Sequence, residues 1–83
     1  MTIHDIRHEI EQLEEVVGAE QETLNCLRFD LLGDNSVWIY EHKDGKLELE
    51  GKASDAMLTL LKDKGFTVIR ESFSPGNACY INE

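Results

Sequence analysis

Basic residues are scarce in this chain: eight Lys and Arg stand against 17 Asp and Glu, for a formal charge of −9 in 83 residues. Phosphate contacts supply most non-specific nucleic-acid affinity and require cations, so direct nucleic-acid binding is not expected. Proline occurs once and no low-complexity tract is present. With 41% hydrophobic residues the chain reads as globular rather than disordered. Apolar runs reach only a few residues, against the ~20 that a membrane helix needs, and no membrane partner is expected. The opening stretch MTIHDIRHEIEQ turns polar at His4 and has no apolar centre, so no secretory signal and a cytoplasmic location are expected. Only two cysteines occur, Cys26 and Cys79, without CxxC or other metal spacing, which implies reduced thiols in that compartment. The length suits one small domain over residues 1–83, burying roughly 60–65% of its unfolded surface.

The acids are unevenly placed. Residues 1–35 hold nine acids and two bases, a net −7, whereas residues 36–83 come to −2. No Pro/Gly/Ser-rich linker separates the two regions and no internal repeat is visible, so one domain with a polarised charge is the simplest account.

The spacing of Ile3, Ile6, Ile10, Leu13 and Val17 predicts a helix over residues 2–17, capped by Thr2 and Asp5 and stopped at Gly18. In residues 24–32, Leu27, Phe29 and Leu31 alternate with Arg28 and Asp30, the period of a half-buried strand. A turn at 33–36 leads to a β-rich segment at 37–42, a tight turn at 43–46 and alternating LELE at 47–50. A two-residue Asp44-Gly45 loop would set Lys43 against Lys46 and Glu41 against Glu48. A three-residue loop with Gly45 as a bulge sets Tyr40 against Glu48 and Trp38 against Glu50, and gathers Val37, Ile39, Leu47 and Leu49 on one face. The second register is the expected one. A second helix from Ser54 to Lys64 would turn Ala56, Met57, Leu60 and Leu61 inward, with Gly65 and Phe66 closing its C-terminus. A final hairpin is expected from residues 66–73 and 78–82 across SPGN, where Pro75-Gly76 suits a type II turn. The order α-β-β-β-α-β-β makes an α+β domain, with an antiparallel sheet and both helices mainly on one of its faces.

Motifs for chemistry are sparse. His4, His8 and Glu11 share a helix face at a chelating spacing, but there is no HExxH pattern and no further ligand in sequence, so no metal site is expected. The neighbours of Cys26 and Cys79 offer no base or cation to activate a thiol, which favours buried structural cysteines. The six glycines form neither GxGxxG nor GxxxxGK[ST], and no serine sits in GxSxG. No cofactor is expected, and the chain is not expected to be an enzyme.

Two surfaces remain as candidate sites. One is acidic: Glu9, Glu11, Glu14, Glu15, Glu20 and Glu22. It either solubilises the protein or meets a basic groove and so competes with nucleic acid. The other is the stripe Trp38, Tyr40 and His42, which turns away from the core in the preferred register and carries residue types common at interface hot spots. The alternative register would bury it.

The order α-β-β-β-α resembles the double-stranded RNA-binding domain. That family binds through basic residues near its second helix, where Lys62 and Lys64 stand almost alone here, so the charge opposes that function. The chain also resembles small acidic phage-encoded inhibitors of the anti-CRISPR or anti-restriction type, in TIHDIRHEI opening the first helix, in the meander over residues 24–50, and in net charge. Those inhibitors share no diagnostic motif, so no residue role is carried over, and the hairpin at 66–82 is an addition to their pattern. The resemblance implies a phage-encoded nucleic-acid mimic acting on a nucleic-acid-processing complex. The expected function is therefore that of an acidic inhibitor or adaptor whose partner is a protein with a basic surface. The alternative is a homodimer or assembly subunit, since the first helix's stripe also suits a short coiled-coil seam.

Overall fold

A computed structural model describes residues 1–70 of the chain. A 3-10 turn at Ile3–Ile6 runs into a short helix α1 (Arg7–Glu11). Four strands follow, β1 (Val16–Thr23), β2 (Cys26–Leu31), β3 (Asn35–Glu41) and β4 (Leu47–Gly51), then helix α2 (Asp55–Asp63) and strand β5 (Val68–Arg70). The sheet has the spatial order β1-β2-β3-β4-β5.

The long first helix expected over residues 2–17 is the main correction. Helical structure ends at Glu11, a turn follows, and Val16–Thr23 is a strand paired antiparallel with β2. Ile3, Ile6 and Ile10 are fully buried as their spacing implied, and the Thr2 N–H donates to Asp5 Oδ2 at 2.7 Å. Beyond Leu13 the periodic match was accidental: Val17 is 60% exposed, and Gly18 lies within β1 rather than ending a helix. Two adjacent β-branched residues and a glycine disfavour continued helix at that point. Because the isoleucines are spent inside this chain's own core, the coiled-coil seam drawn from the same stripe has no helix to carry it.

The hairpin between β3 and β4 takes the three-residue register. Trp38 pairs with Glu50, Ile39 with Leu49 and Tyr40 with Glu48, while the His42 N–H donates to the Lys46 carbonyl at 2.9 Å. Gly45 supplies the required left-handed conformation at φ +88°. Val37, Ile39, Leu47 and Leu49 are fully buried on one face beside Leu27, Phe29 and Leu31. The isoleucines of the N-terminal segment and Met57 and Leu61 of α2 join the same cluster, so both helices cover one face of the sheet. Ala56, expected inward, is exposed, and Leu60 is half-buried.

Helix α2 starts where its cap predicts, with Ser54 Oγ accepting from the Met57 N–H at 3.0 Å. It ends in a Schellman motif, the Phe66 N–H bonding to the Leu61 carbonyl and the Gly65 N–H to that of Lys62. The chain then returns as β5 parallel to β4, not antiparallel as expected. A parallel pair needs a crossover of about a dozen residues or more, and the segment carrying α2 between β4 and β5 supplies one. The sheet is therefore mixed. The expected strand at 78–82, its turn at 74–77 and Cys79 lie outside the described residues. No described helix is long and apolar enough to cross a membrane.

Candidate functional site

Strand alternation sends the side chains between the core positions to the face opposite the helices. Across that face the ladder sets Cys26 beside Tyr40 and Glu48, and Arg28 beside Trp38 and Glu50. Arg28 is the cationic centre. Its guanidinium meets Glu20 at 2.5 Å, Glu22 at 3.3 Å and Asp30 at 3.2 Å. Sequence reading placed Glu20 and Glu22 in one acidic patch with Glu9–Glu15, but β1 carries them to this second face.

The aromatic stripe lies on the face the register assigned to it. Trp38 and Tyr40 are half-buried, and His42 is only 6% exposed, too enclosed to serve as a surface contact. The His42 ring meets Tyr40 edge-on at 5.1 Å, and its Nε2 lies 3.1 Å from Glu48 Oε1. Glu50 is buried to 5% exposure, and its Oε1 has no hydrogen-bond partner among the described residues. Two buried carboxylates on one strand are unusual, because removing such a group from water is costly unless donors surround it. Glu48 and Glu50 were the residues sequence reading missed as site members, although the LELE alternation opposite Tyr40 and Trp38 already placed them there. Thr2, Asn25, Tyr40, Glu41, His42, Lys43 and Gly45 line a pocket of about 290 Å³ at the strand ends.

The remaining expected acids ring the N-terminal segment. Glu9 pairs with Lys64 just past α2, and Glu11 with Arg7 at 2.9 Å. Glu15 accepts from the Ser54 hydroxyl. Arg7 also donates from Nη2 to the Ala19 carbonyl at 3.3 Å, tying α1 to β1. Glu14 is exposed and unpaired. Across α1, β1 and β2, five carboxylates (Glu9, Glu11, Glu20, Glu22 and Asp30) thus share three bases, a net negative balance.

Elsewhere, backbone N–H groups hold two exposed aspartates below the usual carboxylate range: Thr2 acts on Asp5 and Lys46 on Asp44. His4 Nε2 lies 2.9 Å from the Leu24 carbonyl oxygen, and His8 is exposed. Among the described residues no three His, Cys, Asp or Glu side chains converge as metal ligands. Cys26 is buried at 1% exposure. No protein-family model, curated protein or solved structure matches the chain.

Proposed function

We propose that the protein acts by binding, not catalysis, as a small acidic inhibitor or adaptor that occupies a basic, nucleic-acid-binding surface of another protein. The carrying observation is the excess of carboxylates over bases around α1 and β1, where six carboxylates (Glu9, Glu11, Glu14, Glu20, Glu22 and Asp30) meet three bases (Arg7, Arg28 and Lys64) and half of their charge is left over. Such a field attracts Lys and Arg of a partner and speeds encounter, and it presents the sign of charge that a nucleic acid would present to the same groove. Trp38 and Tyr40, half-buried beside the Arg28 cluster, supply aromatic anchors of the kind that hold an interface together.

The test is affinity capture from host lysate followed by competition. The captured partner is expected to be a nucleic-acid-processing protein or complex, released by added duplex DNA or RNA. Trp38→Ala should raise its off-rate, by about 2 kcal/mol of binding free energy. Capture of proteins that bind no nucleic acid, or a complex indifferent to the competitor, would overturn the proposal.

A further inference from the structure

β1 pairs with β2 on one side and, among the described residues, with no strand on the other. Alternate residues of this eight-residue strand therefore direct backbone donors and acceptors away from β2, the template on which extended segments dock. Sheets usually blunt such an edge with lysine, proline, an inward charge or a β-bulge, and β1 has register shifts at Val16/Gly18 and Gln21/Thr23 that leave Gly18–Gln21 as its regular stretch. Val16–Thr23 contains neither lysine nor proline, and the side chains of Glu20 and Glu22 turn to Arg28 on the face opposite the helices. Among the described residues, its backbone cover is one long hydrogen bond, from Arg7 to the Ala19 carbonyl at 3.3 Å. Beside the strand, Glu11, Val16, Val17, Gly18 and Ala19 line a pocket of about 370 Å³, with Val17 60% exposed.

We infer that this edge takes an extended, basic segment of a partner protein as an added strand, an inference that rests on the acidic-surface reading above and names where the partner docks. The two sides of β1 set the segment's pattern. Val16 and Ala19 pack toward the helix-covered core and line the pocket with Val17 and Glu11, while Glu20 and Glu22 lie on the opposite face. An added strand alternates its side chains between the same two faces, so apolar residues enter the pocket side and Lys or Arg meet the glutamates. A second copy of this chain fits poorly, because it would bring Glu20 and Glu22 against their own counterparts on a molecule of the same −9 charge.

The test uses an end-capped octapeptide alternating Val and Lys, titrated into isotopically labelled protein at low salt, and the same peptide N-methylated at alternate backbone amides. Amide shifts are expected to concentrate on Val16–Thr23, and the N-methylated peptide is expected to bind about tenfold more weakly or worse, the scale of a lost hydrogen bond. Val17→Lys should weaken the parent peptide similarly while leaving amides outside β1 unmoved, since the side chain it replaces is mostly in solvent. If both peptides bind equally, or Val17→Lys binds as the native chain does, the edge is not the dock and the inference falls, while the acidic-surface reading stands. If neither peptide binds at low salt, both fall.

Discussion

The Ser54 hydroxyl accepts from the Met57 N–H to cap α2 and donates its own proton to the Glu15 carboxylate, 39 residues earlier in the chain. One side chain thereby fixes the start of the second helix to the turn that launches β1. Ser54→Ala removes both bonds and should lower stability by about 1–2 kcal/mol, the range of a lost N-cap. Urea unfolding should show a lower midpoint at unchanged slope. In a Glu15→Ala background the same substitution should cost less, because the two residues share one interaction.

Gly51 and Gly45 both have positive φ, at +99° and +88°, yet alanine should be tolerated very differently at the two positions. A Cβ at Gly45 meets nothing nearby, so Gly45→Ala should cost about 1 kcal/mol, the conformational penalty alone. A Cβ at Gly51 would collide with the Ser36 carbonyl oxygen across the β3–β4 ladder. Relief requires backbone movement in two strands, and Gly51→Ala should cost roughly 3 kcal/mol or more. Thermal melts of the two variants side by side measure the difference. Equal losses would mean that β3 and β4 separate more readily at their open end than this close approach implies.

Asp5 and Asp44 make a pH prediction with a definite sign. Backbone N–H groups favour their ionised forms in the folded state, so their folded pKa values lie below those of the unfolded chain. Their contribution to stability is complete above the unfolded value of about 3.9 and is lost as pH falls through the folded values. Carboxyl titrations followed by NMR should place both midpoints below that of an unstructured aspartate. Asp44→Asn should lower the neutral plateau toward the acid value and so flatten the acid limb of the stability profile, leaving stability at low pH nearly unchanged.

How much of this was legible in the sequence depends on what each segment buries. The β3–β4 register could be read because one alignment gathers Val37, Ile39, Leu47 and Leu49 while the other opposes like charges, and burial and electrostatics agreed. The end of α2 was legible because Gly65 and Phe66 form a local motif needing no tertiary information. β1 was not legible. As an edge strand it buries little beyond part of Val16 and Ala19, so it lacks the apolar alternation that marks a strand, and Val17 fell into helical phase with the isoleucines by chance. The grouping of the acids went with it: Glu20 and Glu22, expected just past a helix ending at Gly18 and in one patch with Glu11 and Glu15, are set by the strand around Arg28. The parallel return of β5 was missed because a connection through α2 allows either pairing direction and the composition of the strand does not choose between them.

The acidic surface can be tested without disturbing the fold only if its free carboxylates are separated from its tethered ones. By sequence, Glu11 and Glu15 look like solvated helix positions, but the structure ties Glu11 to Arg7 and Glu15 to Ser54. Reversing both should therefore lower stability, confusing any effect on binding. Glu14 is exposed and unpaired, and Glu20 shares Arg28 with Glu22 and Asp30, so Arg28 keeps partners without it. Glu14→Lys combined with Glu20→Gln should change stability by no more than about 0.5 kcal/mol. The same pair should slow association with an immobilised octalysine peptide and flatten its dependence on ionic strength, because exposed charges act mainly on the encounter rate and are screened beyond about 8–10 Å. Glu11→Lys with Glu15→Lys should instead lower the unfolding midpoint, the signature of broken tethers. If the first pair leaves the association rate and its salt slope unchanged, the carboxylates of α1 and β1 serve only to keep the protein soluble, and the occlusion of a basic groove loses its electrostatic basis.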